Sequence, residues 1–178
     1  MITLASRSPQ RRAILTQLGV EFEVVEPDVE ELTEGDPREV VIENALRKAR
    51  SVPGSRVLGV DTDVCLDGRI FGKPPSPDAA RSQLSELSAR VHEVWSGIAL
   101  KEGGHETTAV SVTRVRFRSL DEPLLEWYLR SGEWEGRAGG YAIQGRGAAL
   151  VESIEGDFWN VVGLPVPELL RLAPDLAR

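Results

Sequence analysis

Ile2-Thr3-Leu4-Ala5-Ser6-Arg7-Ser8-Pro9-Gln10-Arg11-Arg12 is the stretch on which the fold turns. Ile2 to Ala5 reads as a short buried strand, Ser8 as a helix N-cap, and Pro9 as the first helical residue, where its missing N–H is not needed. Ile14 and Leu18, one turn apart, give the helix an apolar stripe, and Gly19 stops it. The unit is strand, short polar turn, helix, the building block of α/β folds. Its turn aims unpaired backbone N–H groups and the positive end of the helix dipole outward, and Arg7, Arg11 and Arg12 add guanidinium donors. Such a turn is a natural seat for a phosphate.

Charge reverses immediately downstream. Residues 1–20 carry three arginines and no acid, whereas residues 21–40 carry nine acids and the single Arg38, a run that reads as solvated surface. A helix follows over 38–50, with Val41, Ala45 and Ala49 on one side, Ile42 and Leu46 beside them, and Pro53-Gly54 as its close. Val57-Leu58-Gly59-Val60 reads as a central strand covered on both faces, broken and ended by Asp61-Thr62-Asp63. Asp67-Gly68 is a hairpin turn, Ser76-Pro77 opens a helix with Ala80, Leu84 and Leu87 inside, and strands near 91–100 and 107–117 flank Gly103-Gly104. In the second of these, Thr113, Val115 and Phe117 face one way and Arg114, Arg116 and Arg118 the other. A helix with Leu124, Leu125, Tyr128 and Leu129 stops at Gly132, and six glycines between residues 132 and 147 imply tight turns or close backbone approach to a ligand. Two short strands around Gly156 and a helix after Pro165 complete what reads as one domain over residues 1–178.

Composition narrows the function. The 178 residues carry 28 acidic and 21 basic side chains, a net charge of −7, with 41% hydrophobic and 28% charged residues, which are globular values. The acidic balance argues against a protein that coats nucleic acid polymer, and the three arginines at 114, 116 and 118 read as an exposed sheet face. Cys65 is the only cysteine, so no internal disulfide or cysteine zinc cluster forms, and it reads as a core residue. No apolar run approaches the roughly 20 residues that span a bilayer. The N-terminus lacks the layout of a signal peptide, so a cytoplasmic protein away from membranes is expected.

Asp61 and Asp63 stand where the apolar strand is interrupted, and alternation puts both on one side with Thr62 opposite. A carboxylate in such a place is paired, hydrogen-bonded or bound to metal. Lys73, in Gly72-Lys73-Pro74, is a point charge for phosphate, although the Walker spacing fails and Pro74 stands where Ser or Thr is required. Lys48 by itself reads as a solvated helix residue, and His92 and Trp95 as strand packing. Gln144, within the glycine-rich stretch, has the donor and acceptor that reading a base edge needs. There is no Gly-x-Ser-x-Gly elbow to support a serine hydrolase.

These pieces, in this order, resemble the Maf family of nucleoside triphosphate pyrophosphatases. The resemblance runs almost end to end, through Leu4-Ala5-Ser6-Arg7-Ser8-Pro9, Leu58-Gly59-Val60-Asp61-Thr62, Leu66-Asp67-Gly68, Gly72-Lys73-Pro74, Arg90-Val91-His92-Glu93-Val94, Ser131-Gly132-Glu133, Ala138 to Gly145, and Asn160 to Pro165. It implies an elongated α/β fold with a mixed sheet, similar to inosine triphosphate pyrophosphatases, with two lobes around a cleft. It also implies a homodimer, a divalent cation (Mg2+, with Mn2+ as a substitute), and hydrolysis of a nucleoside triphosphate to the monophosphate and pyrophosphate. By position, Asp61 matches the family's proton acceptor, Ser6, Arg11, Lys48, Lys73 and Gln144 its substrate-site positions, and Glu31, with Asp61, the metal.

Three positions commonly set base choice in the branch resembling dTTP/UTP pyrophosphatases. Thr62 and Gln144 agree with that branch, while Gln10 stands in place of its arginine, which leaves room for modified nucleotides. The branch selective for 7-methyl-GTP usually has tryptophan at the first position and glutamate at the third, and this chain has neither. The family is also linked with inhibition of septum formation, so a division-regulating binding module that uses the acidic segment from Glu30 to Asp36 is the competing reading.

Overall fold

The first strand and helix form where the turn chemistry places them. In the computed structural model, which describes residues 1–177, β1 (Ile2–Ala5) leads into α1 (Pro9–Gln17), capped by the Ser8 hydroxyl and stopped beside Gly19. Then follow β2 (Phe22–Val25), α2 (Pro37–Ser51), β3 (Arg56–Leu66), β4 (Arg69–Phe71), α3 (Pro77–Leu87), β5 (Val91–Glu102) and β6 (His105–Phe117). After α4 (Glu122–Leu129) come short 3-10 turns at Ala138–Gly140 and Arg146–Leu150, then β7 (Val151–Glu155), α5 (Phe158–Val162), α6 (Val166–Leu172) and a last 3-10 turn, Pro174–Ala177. Among the described residues no helix is long and apolar enough to cross a membrane.

The expected mixed α/β architecture is present. Seven strands make one sheet in the order β2-β1-β3-β5-β6-β7, with β4 beside β3. The pairs β1–β2 and β1–β3 are parallel, and the rest are antiparallel. Two large apolar cores lie along this sheet. One joins Ile2 and Leu4 to Ile14, Leu15, Leu58, Val60, Ile98, Leu100, Leu164 and Leu169. The other joins Val64, Leu66 and Phe71 to Leu84, Val94, Phe117, Tyr128, Tyr141 and Ile143. These are the two lobes, and β3 and β5 run through both.

Three expectations are corrected. The strand does not end at Asp61: β3 continues unbroken to Leu66, and the polar triplet marks the waist where its neighbours change from one core to the other. Within the acidic run, Phe22–Val25 forms β2, a short edge strand whose apolar residues are only half buried. After Gly156 the chain turns into α5 instead of a second strand, because the Asp157 carboxylate caps it, accepting from the Trp159 and Asn160 N–H groups at 2.9 and 3.1 Å.

Two features of β3 create the site. On one edge β1 pairs only as far as Gly59, and β4 begins pairing at Val64, so residues 60–63 have no strand partner on that side. Above this gap, α2 lies directly against the sheet. A Cβ added to Gly59 would fall 2.1 Å from the Ala45 carbonyl oxygen, and one added to Gly97 2.2 Å from that of Val41. Gly97 is the β5 residue opposite Asp61, so the absence of two side chains lets α2 bring its polar residues down onto that aspartate.

Candidate active site

A cleft of about 450 Å³ opens at the gap in β3. Ser6, Gln10, Arg11, Glu31, Lys48, Asp61, Thr62, Lys73 and Gln144 all line it, so every residue singled out in the sequence for substrate, specificity or metal meets in one place. Asp63, Arg137 and Tyr141 line it too.

Its centre is a buried carboxylate with a full set of partners. One oxygen of Asp61 accepts from the Lys48 ammonium at 2.6 Å, and the other from the Asn44 amide at 2.9 Å. Burial by itself would push the Asp61 pKa up. The adjacent Lys48 charge and hydrogen bond, the Asn44 amide and Arg11 outweigh it and hold Asp61 below its ordinary value. Lys48 is therefore buried, contrary to its solvated reading, and its Nζ also meets Glu31 Oε2 at 3.0 Å. Asp63 is the opposite case, pushed up to about 7 by burial and then by the charge of Asp61.

Arg11, in the cleft lining, is tied to the protein on three sides. Its Nε donates to the Gly163 carbonyl at 2.8 Å, and its two terminal nitrogens donate to Ser6 Oγ at 3.2 Å and Thr62 Oγ1 at 3.1 Å. Three of its roughly five N–H donors are thus committed to the protein. The result is a clamp joining β1, β3 and the end of α5. Thr62, on the opposite face of β3 from Asp61, closes the clamp by sharing a 2.8 Å hydrogen bond with buried Ser96. The side-chain amide oxygen of Gln10, Oε1, accepts from the Ser8 hydroxyl at 3.1 Å.

The far wall is looser. Lys73 and Gln144 are exposed, and neither makes a side-chain hydrogen bond or ion pair among the described residues. Arg137 has no ion pair there either, and its Nε is buried without a partner. Tyr141 anchors this wall, its hydroxyl sharing a 2.8 Å hydrogen bond with Nε2 of buried His92. Burial pushes the His92 pKa down to about 4 and the Tyr141 hydroxyl up, so both are neutral near pH 7.

Reading the sequence missed Asn44, Ser96 and Arg137. Asn44 had a signal: it interrupts the apolar side of a helix, between Val41 and Ala45, at a position the stripe would fill with an aliphatic residue. Ser96 and Arg137 had none, since their partners and their place in the cleft are set only by the fold.

The fit to a divalent cation can be judged from the donors. Among the described residues no three His, Cys, Asp or Glu side chains are grouped to hold a metal. Glu31 and Asp61, however, converge on one ammonium, with Asp63 as a further carboxylate lining the same cleft. Mg2+ is ordinarily held by one or two carboxylates together with substrate phosphates, so this set fits a cation that arrives on a triphosphate.

Comparison with known proteins identifies the chain's relatives. The family described as Maf-like protein matches residues 1–176. The chain is 45% identical over 177 residues to the dTTP/UTP pyrophosphatase of Symbiobacterium thermophilum, covering 96% of this chain and 91% of the relative. It is 41% identical over 179 residues to the dTTP/UTP pyrophosphatase of Pyrococcus furiosus, covering 96% and 93%, and 45% identical over 171 residues to that of Thermotoga maritima, covering 93% and 84%. A match of this length, spanning both lobes and the whole lining of the cleft, shows that the chain belongs to the Maf family.

Proposed function

We propose that this chain hydrolyses nucleoside triphosphates to the monophosphate and pyrophosphate, with dTTP and UTP preferred. The observation that carries the reading is Asp61, an aspartate held ionised inside a cleft and set between a lysine and an amide. Its relatives' names supply the substrate class and the base.

The geometry suggests a division of labour. Asp61 accepts the proton of the attacking water, which forms a bond to the α-phosphorus as the bond from that phosphorus to the α,β-bridging oxygen breaks. Lys48, held beside Asp61, and Lys73, on the far wall, neutralise phosphate oxygens, so positioning and charge stabilisation supply most of the catalysis. Glu31 and Asp61 would hold Mg2+ or Mn2+, which when bound withdraws charge from the phosphate oxygens. Arg11 keeps Ser6 and Thr62 in register, and Gln10 and Gln144, both in the cleft lining, are the side-chain amides that meet the base.

The test is a panel of dTTP, UTP, CTP, dATP, GTP and 7-methyl-GTP with Mg2+, scored for pyrophosphate and monophosphate. Pyrophosphate released fastest from dTTP or UTP is the expected result. Folded protein that releases none from any nucleotide, with Mg2+ or Mn2+, overturns the proposal.

A further inference from the structure

Asn44 makes three hydrogen bonds from a position where an aliphatic residue would satisfy the helix, and it is 1% exposed. Its Oδ1 accepts from the Leu32 N–H at 2.7 Å, while its Nδ2 donates to the Leu32 carbonyl at 2.9 Å and to Asp61 Oδ2 at 2.9 Å. Leu32 follows Glu31, and Glu31 reaches back to Lys48, which holds the other oxygen of Asp61. A closed ring therefore runs from Asp61 through Lys48, Glu31, Leu32 and Asn44 back to Asp61. On the outer side Arg47 adds a 2.9 Å hydrogen bond to the Glu30 carbonyl. One face of α2 thus ties down the irregular acidic segment between β2 and α2.

The links of this ring differ in kind. Lys48 is bound to two carboxylates with one N–H donor left over, and a triphosphate that enters competes with both of them for its charge. Glu31 and Asp61 likewise have a cation to meet. Asn44 is neutral, and its partners on the segment are backbone groups, so neither phosphate nor cation competes for them. It is the one link that persists while the charges rearrange.

We infer that Asn44 is a positioning residue for the hydrolytic site, holding the carboxylate plane of Asp61 and, through the Leu32 backbone, the place of Glu31. The inference rests on the proposed triphosphate hydrolysis for its catalytic half. Its structural half, the tether to Leu32, stands on geometry alone. Residues that orient a metal- or substrate-binding group typically contribute about 10–100-fold to affinity or activity.

The test uses Asn44→Leu and Asn44→Ala in the full chain, with circular dichroism and a cooperative urea transition as the check that each is folded at the assay temperature. Two quantities are read: kcat and KM for dTTP with Mg2+, and amide hydrogen exchange of the peptide containing Leu32 without nucleotide or metal. The expected result is a fall in kcat of about 10–100-fold with KM for dTTP changed less than about threefold, together with faster exchange at Leu32. A purely structural residue would lower stability and leave kcat of the folded protein alone. A folded variant with kcat within about twofold of wild type, or with Leu32 protected as in wild type, overturns the inference. Should the wild type hydrolyse no nucleotide, the proposed function fails, and the exchange measurement still decides the tether.

Discussion

The two walls of the cleft are built in opposite ways. On the α2–β3 side, Asn44, Lys48 and Asp61 are buried on regular elements, and their polar atoms are bonded to one another. On the far side, Lys73 and Gln144 stand exposed on loops, and Arg137 keeps a buried Nε without a partner. The first wall is finished before substrate arrives. The second has donors still to be spent. Hydrolysis needs a proton acceptor placed to within a fraction of an ångström, and rigid elements supply that placement. Recognition of a flexible triphosphate and a base tolerates loops that adjust.

The sharpest way to break this contrast is at Asp61. Asp61→Asn keeps the shape of the finished wall and removes its proton acceptor, so kcat falls by about 10²–10⁴-fold in steady-state assays. Near-wild-type turnover from a folded variant would move the chemistry off this wall. Next comes the contact that brings α2 down. Gly97→Ala drives a methyl into the Val41 carbonyl, and urea unfolding is expected to show a loss of about 3 kcal/mol or more. An unchanged midpoint would mean that α2 rides more freely than its close approach indicates.

The loop wall is tested through its anchor. The unfolded chain takes up a proton on His92 as pH falls through about 6.5, whereas the folded chain does so only near 4, so acid favours unfolding across that window. This histidine accounts for up to about 3 kcal/mol of lost stability between pH 6.5 and 4, and none above it. The slope of stability against pH should flatten in His92→Gln, and a slope equal to wild type would mean that His92 is not held neutral behind Tyr141. Lys73→Ala takes one unspent charge from the loops, with KM for dTTP expected to rise about tenfold and kcat to stay within about threefold. A large loss of kcat instead would place Lys73 with the finished wall. The smallest effect belongs to Gln10→Arg, which releases the Ser8 hydroxyl from its acceptor. The ratio of kcat/KM for dTTP over CTP should rise by about threefold to tenfold, the size of one added hydrogen bond, and an unchanged ratio would remove Gln10 from base selection.

Much of this contrast was legible in the chain, for reasons that differ by wall. Ser8-Pro9 and Ser76-Pro77 state their helices locally, through cap and fixed φ, and both helices start where expected. Asp61 stood out because a charge inside an apolar strand demands partners. Lys48 was misread since those partners, Glu31 and Asp61, come from a loop and a strand that only the fold brings to its helix face. Strand β2 was missed because its Phe22, Val24 and Val25 are diluted by Glu21, Glu23 and Glu26, as suits an edge that is half wet. The gathering of Lys73 and Gln144 into the cleft followed from the family resemblance; their local sequence carries no distance information.

The Arg11 clamp bears on the order in which the protein is made. Arg11 emerges early, yet the carbonyl its Nε requires belongs to Gly163, 152 residues later. At ribosomal rates of about 5–20 residues per second, that wait is roughly 8–30 seconds. Until then a nascent chain can tie Arg11 only to Ser6 and Thr62, with its Nε still without the Gly163 carbonyl. The third arm of the clamp closes only once Gly163 has been made, although a chain halted before it already carries every charged residue of the cleft.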